Sequence, residues 1–125
     1  MEILWVDSDI TRCEQLRAQL PLRYVLTAAV SGYEAKKLLR RQLFWLAVVN
    51  RGLPDMEELE LIGEIKRYYP STRLMFCSDS GDFRLAGTAL ELGVDALAAR
   101  SCSLDELLGR LKWIALNKGR GPAQP

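Results

Sequence analysis

Histidine is absent from the 125 residues. Without an imidazole, the chain has no histidine base, no histidine metal ligand and no site for a phosphohistidine relay. Cysteine is scarce as well, and no CxxC or other metal-like spacing joins Cys13, Cys77 and Cys102. Three scattered thiols predict buried, reduced cysteines and a cytoplasmic location rather than a disulfide framework.

An excess of charge of one sign is also missing, because 17 Lys and Arg face 16 Asp and Glu for a net charge of +1. Nucleic acids and membrane surfaces are normally bound through a concentrated positive field, so neither partner is expected. No apolar run approaches the ~18 residues of a membrane-spanning helix. The amino terminus lacks the basic segment and cleavage site of a signal peptide. Hydrophobic residues nevertheless make up 49% of the chain, which is typical of one packed domain.

Short apolar runs alternate along the chain with longer segments of helical periodicity. The strand-like runs lie at residues 2–6, 24–30, 43–49, 73–78 and 94–99. The helical segments lie at residues 9–20, 31–42, 57–69, 82–92 and 103–116. Parallel strands need helical crossovers, so this order predicts a parallel sheet with helices on both faces, in one domain over residues 1–116. Residues 117–125 lack apolar periodicity and are predicted to be a flexible tail or the start of a linker.

Two of the helical segments begin with the spacing of a capping box. Ser31 precedes Glu34 by three residues, and Ser103 stands in the same relation to Glu106. A serine hydroxyl at such a position accepts a hydrogen bond from the backbone N–H three residues later. We therefore predict helix starts at both serines.

Polar residues follow four of the five apolar runs at the point where each run ends. They are Asp7, Ser8 and Asp9, then Asn50, then Ser78 and Asp79, and finally Arg100 and Ser101. In an open α/β sheet, ligands bind at the carboxyl ends of the strands, where the strand order reverses. The pattern predicts that these side chains meet in one cleft.

These positions lie in stretches that resemble the receiver domain of two-component response regulators, the CheY-like family. The resemblance extends over about residues 2–116 and is carried by VDSD (6–9), SGYEA (31–35), NRGLP (50–54), LELIGEIKRYYP (59–70), ALELGVDAL (89–97) and SLDEL (103–107). It implies a flavodoxin-like, doubly wound α/β fold with five parallel strands in the order 2-1-3-4-5 and five helices.

The receiver pattern also implies a role for each residue of the cleft. Receivers hold Mg²⁺ with two adjacent acids after the first strand and with an Asp after the third, which accepts the phosphoryl group. A hydroxyl and a Lys from the last two strands bind the phosphoryl oxygens. Asp7 and Ser78 match the first acid and the hydroxyl, whereas Ser8, Asn50 and Arg100 replace the second acid, the phosphoacceptor Asp and the Lys.

The replacements remove the chemistry that the resemblance would otherwise imply. An amide at Asn50 cannot form the mixed anhydride that a carboxylate forms with phosphate. Mg²⁺ prefers anionic oxygens, and Asp7 is the remaining candidate ligand, so magnesium binding is expected to be weak or absent and no cofactor is expected. The chain is therefore predicted to be a pseudo-receiver and not an enzyme. It would act by contact with other signalling proteins, in a homodimer or ahead of a downstream output domain.

Two further predictions concern Arg100 and the strand that precedes it. The guanidinium of Arg100 would reach toward Asp7 or bond the amide oxygen of Asn50, occupying the space for metal and phosphate. Leu97 matches the aromatic switch position of receivers, and Ala96 replaces an acid common in members that dimerise. These two residues, with Ala86, Ala89 and Ala98, would form either an exposed patch for protein contact or a tightly packed interior face.

Several alternatives remain open from the sequence. The chain could accept phosphate on Asp7 or Asp79, or it could be a flavodoxin-like ligand binder or enzyme. Against the latter, VDSDITR offers no phosphate loop and the GxxxxGK[ST] motif is absent. Asp9 could be a displaced second acid, although a cap of the first helix is the preferred interpretation. Ser78 could bond Asn50 or cap its strand. Trp113 could lie in the core or at an interface, and the core is the preferred interpretation.

Overall fold

The computed structural model describes residues 1–79 and 81–117, which form five strands alternating with five helices. The strands are β1 (Glu2–Val6), β2 (Val25–Ala29), β3 (Leu46–Asn50), β4 (Arg73–Ser78) and β5 (Ala96–Ala99). The helices are α1 (Thr11–Arg17), α2 (Gly32–Arg41), α3 (Glu58–Tyr68), α4 (Phe83–Leu92) and α5 (Leu104–Leu116). The predicted alternation is confirmed. Of the predicted tail, Asn117 ends α5 and residues 118–125 lie outside the described residues.

All five strands are parallel and lie in the order β2-β1-β3-β4-β5. This is the order of the CheY-like flavodoxin fold, as the resemblance implied. Every residue of β3 is buried, because helices cover the centre of the sheet on both faces. The strand order reverses between β1 and β3, so the residues that follow these two strands meet at the edge where a ligand site is expected.

The alternation of side chains along β1 divides the interior into two apolar cores. Ile3 and Trp5 face the core that contains the inward residues of α1 and α5. Leu4 and Val6 face the core that contains those of α2, α3 and α4. In a strand, successive side chains point to opposite faces of the sheet, which explains this division. Among the described residues, no helix is long and apolar enough to cross a bilayer.

Local hydrogen bonds mark the helix starts that the sequence predicted. The Ser31 hydroxyl accepts the backbone N–H of Glu34 at 3.1 Å, and Ser103 accepts that of Glu106 at the same distance. Both predicted helix starts are confirmed. The first helix is shorter than predicted and spans Thr11–Arg17, because turns follow it before β2.

The three cysteines are free and buried, as predicted. Burial raises the pKa of Cys77 to about 12, since a thiolate would lose its hydration in the apolar core. Burial also raises the pKa of Cys13 and of Cys102. All three side chains are therefore thiols at neutral pH and serve as small apolar residues.

Candidate functional site

A cleft of about 410 Å³ opens at the carboxyl edge of the sheet. It is lined by Asp7, Asp9, Thr11, Arg12, Gln15, Asn50, Asp79, Arg100 and Ser101. The structure thus brings together most of the polar residues that the sequence placed at the strand ends. Three residues of α1 also line the cleft, and their contribution was not predicted. Ser8 is exposed beside the cleft, and Ser78 is buried at the end of β4.

Asp7 is the buried carboxylate of this cleft, with 3% of its surface exposed. Its Oδ1 accepts the backbone N–H of Asp9 at 3.0 Å and lies 3.8 Å from Nη2 of Arg100. The other guanidinium nitrogen, Nη1, would lie 3.5 Å from a methyl group added at Gly52. Arg100 therefore lies between the end of β1 and the loop after β3. This geometry matches the first of its two predicted positions, beside Asp7.

Asn50 is buried at the end of β3, with 1% of its surface exposed. Its Nδ2 donates a hydrogen bond to the carbonyl oxygen of Val6 at 3.1 Å. This bond joins the ends of β1 and β3 beyond their last pair in register. This hydrogen bond needs a donor on the side chain of residue 50. A carboxylate at that position would place an acceptor against the carbonyl oxygen of Val6, which is also an acceptor. The amide of Asn50 thus contributes to the structure of the edge.

Asp9 stands one residue before Ile10, the N-cap of α1, so the preferred interpretation of Asp9 as the helix cap is not confirmed. Its Oδ1 accepts the backbone N–H of Thr11 at 2.9 Å. Hydrogen bonding to Thr11 is the main reason why the pKa of Asp9 lies below its usual value, with a smaller contribution from the charge of Arg100. Asp79 is exposed at the rim of the cleft. Within the described residues, the Ser78 hydroxyl makes no hydrogen bond to Asn50, whereas its carbonyl accepts the N–H of Arg100 at 2.8 Å.

A second guanidinium, that of Arg12, stands on the α1 side of the cleft. Its Nη2 lies 3.7 Å from the sulfur of Cys102, which follows β5. The cleft therefore holds three carboxylates and two guanidinium groups, with Asp7 as the buried acid. The opposite charges of Asp7 and Arg100, 3.8 Å apart, attract each other.

Two polar groups that line the cleft already have partners within the chain. In residues 1–79 and 81–117, no three Asp, Glu or Cys side chains form a group that could hold a metal. Mg²⁺ takes hard anionic oxygens in a nearly octahedral arrangement. Here Asp7 is paired with a guanidinium, and the amide nitrogen of Asn50 is committed to Val6.

Sequence reasoning missed Glu58, a carboxylate with 2% of its surface exposed. Its Oε2 accepts the backbone N–H groups of Gly52 at 3.1 Å and of Leu53 at 2.9 Å, and its Oε1 accepts Nη1 of Arg51 at 2.8 Å. One side chain therefore holds the turn that follows Asn50. One signal was present in the sequence, because Glu58 begins the helix that follows a glycine-containing turn. Three of the four residues at 57–60 are glutamates, however, and the sequence does not show which of them is buried.

A groove of about 450 Å³ lies between β5 and α5, away from the cleft. It is lined by Asp95, Ala96, Leu97, Glu106, Gly109, Arg110 and Trp113. Ala86, Ala96 and Leu97 are half-buried, whereas Ala89 and Ala98 belong to the cores. Two of the five residues thus belong to the packed interior, and the other three are half-buried.

Trp113 does not lie in the core, and that prediction is wrong. Its exposed fraction is 47%, since α5 directs Leu107, Leu111 and Ile114 inward and Trp113 beside the groove. Trp5, by contrast, is fully buried. An indole at the rim of an open groove adds an apolar surface to this face.

The chain is similar to a transcriptional regulatory protein and to receiver domains of known structure. No protein-family model matches the chain. The transcriptional regulatory protein ZraR of Klebsiella oxytoca is 29% identical over 114 residues, which are 90% of this chain and 24% of that protein. The chain therefore spans about a quarter of the length of this curated relative.

Two solved structures resemble the fold over nearly the whole chain. The signal receiver domain of an HD domain-containing protein from Pseudomonas fluorescens is 29% identical, with a TM-score of 0.84, and the match covers 94% of this chain and 95% of that one. A CheY-like response regulator receiver domain protein from Methanospirillum hungatei is 23% identical, with a TM-score of 0.85, and the match covers 94% of each chain.

Proposed function

We propose that this chain, a response regulator receiver domain of two-component signalling, is a pseudo-receiver that acts without being phosphorylated. It would recognise other signalling proteins by contact and would catalyse no reaction. It would act in the cytoplasm. There it would form a homodimer or stand next to a downstream output domain. The ZraR relative is named a transcriptional regulatory protein, which agrees with an output domain in such a protein.

The proposal depends mainly on the buried amide side chain of Asn50. Phosphoryl transfer to a receiver requires a carboxylate oxygen that can attack phosphorus. At the end of β3 this chain has a buried amide instead, and its nitrogen donates to the Val6 carbonyl at 3.1 Å. The group that would react is thus replaced by one that holds the edge of the sheet.

The charges around Asn50 support the same proposal. A phosphorylated receiver needs a divalent cation to offset the charge of the phosphoryl group. The buried carboxylate of Asp7 has a guanidinium nitrogen of Arg100 at 3.8 Å, so a cation would compete with Arg100 for it. At this separation and an effective dielectric constant of about 20, two unit charges attract by about 4 kcal/mol before desolvation is counted. We therefore propose that the domain works without magnesium or another cofactor.

The groove between β5 and α5 is the surface that we propose for contact. It presents the small side chain of Ala96, the half-buried Leu97 and the exposed ring of Trp113. Apolar and aromatic surface with few charges is typical of the centre of protein interfaces. Asp95, Glu106 and Arg110 also line the groove and would select a partner of complementary charge.

A nuclear magnetic resonance titration tests the proposal. The ¹⁵N–¹H spectrum of the chain should stay unchanged when beryllofluoride and Mg²⁺ are added, because no carboxylate at residue 50 can coordinate beryllium. The matched positive control is the triple variant Ser8→Asp, Asn50→Asp and Arg100→Lys, which restores the receiver pattern and should respond around the cleft. Shifts of the unaltered chain around residue 50 would contradict the proposal.

The second candidate function is that of a receiver phosphorylated on an acid other than residue 50. One observation favours it. Asp79 is exposed at the rim of the cleft, where a small phosphodonor could reach it, whereas Asp7 is buried. Intact mass spectrometry after incubation with acetyl phosphate separates the candidates. A gain of one phosphoryl group that is lost in Asp79→Asn or in Asp7→Asn would favour this candidate, and an unchanged mass favours the pseudo-receiver.

A further inference from the structure

The edge of the sheet where the strands begin, the amino edge, carries exposed apolar side chains. Leu22 precedes β2 and is 99% exposed, and Leu43 precedes β3 and is 78% exposed. Each helix returns the chain to this edge, so Tyr68 at the end of α3 lies there as well, and it is 62% exposed. Since β2 and β3 flank β1, the two leucines precede strands that lie about 10 Å apart.

Three exposed arginines lie within two residues of these apolar side chains in the sequence. They are Arg23, Arg41 and Arg67. Within the described residues, none of the three forms an ion pair with a carboxylate. The guanidinium carbon of Arg67 lies 5.4 Å from the centre of the Tyr68 ring. We call the six residues the amino-edge patch, which consists of Leu22, Arg23, Arg41, Leu43, Arg67 and Tyr68.

Acids also lie near the amino edge, and most of them already have partners. Asp95 pairs with Arg73 at 3.2 Å, and Glu2 accepts the side-chain amide of Gln42 at 3.1 Å. Glu91 is exposed in the last turn of α4. The arginines of the patch are therefore available to an anionic partner.

The opposite edge of the sheet is acidic. Acids occupy the first turns of α2, α3 and α5, and three more line the cleft. A strand of five residues at about 3.3 Å per residue separates the two edges by about 17 Å. The Debye length at physiological ionic strength is about 8 Å, so salt screens these acids from a surface that meets the amino edge. The net charge of +1, which argued against a membrane partner, is thus unevenly distributed, and the amino edge is positive.

The helix dipole accounts for only part of the amino-edge patch. It favours cations in the last turn of a helix, where Arg41 and Arg67 lie. It gives no reason for Leu22 or Leu43, whose side chains gain free energy only when they leave water. A nucleic acid would contact the arginines through its phosphates and would leave the leucines exposed. An anionic lipid interface accepts both, because it presents phosphates above an apolar layer.

We propose that the amino-edge patch docks on the surface of an anionic membrane. The two leucines insert between the headgroups, the three arginines bind lipid phosphates, and the ring of Tyr68 lies at the level of the headgroups. Such docking is peripheral and needs no membrane-spanning helix. The cleft lies at the opposite edge, so it faces away from the lipid and stays open. The proposal goes beyond the proposed function and does not depend on whether the domain is phosphorylated.

Co-sedimentation of the chain with lipid vesicles tests the proposal. The unaltered chain should pellet with vesicles of phosphatidylcholine and phosphatidylserine, and it should stay in solution with phosphatidylcholine alone, because the arginines need anionic headgroups. The double variant Arg41→Gln, Arg67→Gln should partition about 25-fold more weakly, since each cation near an anionic surface contributes about fivefold. Arg84→Gln is the matched control, because it removes an exposed arginine from the start of α4 at the opposite edge, and its binding should be unchanged.

A second double variant distinguishes a lipid surface from other anionic partners. Leu22→Ser with Leu43→Ser keeps every charge and should weaken partitioning about tenfold, because the inserted apolar surface is lost. Phe83→Ser is its matched control, since Phe83 is 84% exposed at the opposite edge, and its binding should be unchanged. All these positions are exposed, and far-UV circular dichroism checks that each variant folds.

Three results would overturn the proposal. The first is that the chain binds neither kind of vesicle, and the second is that it binds both equally. The third is that the leucine variant binds as tightly as the unaltered chain while the arginine variant does not. That third result would indicate a purely electrostatic surface for an acidic protein or a nucleic acid.

Discussion

The loop after β3 and the face between β5 and α5 are built by different means. In the loop, the buried side chains Asn50 and Glu58 are polar, and each makes hydrogen bonds to named backbone atoms. On the face, Ala96, Leu97 and Trp113 are apolar and partly exposed. A buried hydrogen bond needs one particular donor and acceptor, whereas apolar contact tolerates many shapes. The loop should thus be sensitive to changes of single atoms, and the face should accept larger changes at little cost in stability.

The largest effect is expected from Glu58→Ala. The change leaves the N–H groups of Gly52 and Leu53 and the guanidinium of Arg51 without their common acceptor. Leaving a buried backbone donor without an acceptor typically costs about 1–3 kcal/mol, so the loss of two such bonds is expected to cost about 2–6 kcal/mol. The free energy of unfolding in urea should fall by this amount. Glu64→Ala is the matched control, because its pair with Lys36 is half-exposed, and such pairs contribute about 0–1 kcal/mol. If the two variants lose the same free energy of unfolding, the loop after β3 is no more sensitive to a single substitution than the exposed surface.

Asn50→Asp should have the next largest effect. It replaces the donor to the Val6 carbonyl by an acceptor and adds a second carboxylate next to Asp7. An unmade buried hydrogen bond costs about 1–3 kcal/mol, so a loss of about 2 kcal/mol at neutral pH is expected. Magnesium chloride should restore part of this stability in the variant and none in the unaltered chain. Urea unfolding with and without the salt measures both effects, with Asn117→Asp, the same change at the end of α5, as the control. A magnesium response of the unaltered chain would contradict the expectation.

On the face, Trp113→Ala should cost about 1 kcal/mol, because roughly half of the indole is already in contact with water. Leu111→Ala, two residues earlier on the same helix, removes a buried side chain and should cost about 2–5 kcal/mol. Urea unfolding of both variants compares the outer and inner sides of α5. If Trp113→Ala costs as much as Leu111→Ala, the face is part of the core and unavailable for partners.

The smallest effect is expected from Asp55→Asn, a change in the loop after β3 whose cost in the free energy of unfolding should depend on pH. Asp55 accepts the N–H groups of Gly32 and Tyr33 at the start of α2, and these bonds lower the pKa of its carboxyl. Since the pKa is lower in the folded state than its unfolded value of about 3.9, this stabilisation is present above that value and is lost as pH falls through the folded pKa. Asp55→Asn should cost about 0.5 kcal/mol at neutral pH and less under acid.

Urea unfolding from neutral to acid pH checks this dependence. Glu57→Gln is the control, because Glu57 makes no capping hydrogen bond with its side chain. A cost of Asp55→Asn that is the same at all pH values would show that the charge of Asp55 contributes nothing.

The parts of the molecule that follow from local rules could be predicted from the sequence. Apolar runs located the strands, the capping serines located two helix starts, and the resemblance supplied the strand order. The meeting of Asp7, Asn50 and Arg100 followed because strand ends in a parallel sheet share one edge. The role of Glu58 could not be predicted, since an acid in a first helical turn is ordinarily solvated. The exposure of Trp113 depends on the rotation of α5, which the packing of the whole helix decides.

Trp5 and Trp45 have one consequence for future experiments. Both indole N–H groups are buried, and neither has an acceptor among the described residues. An indole that is shielded from water emits at shorter wavelengths than a hydrated one, so the fully buried ring of Trp5 starts from the blue end of its range, whereas Trp45 is half-buried. Water that enters between β1 and β3 would shift the emission to the red. The domain thus contains its own optical reporter of sheet opening, and no dye is needed to follow it.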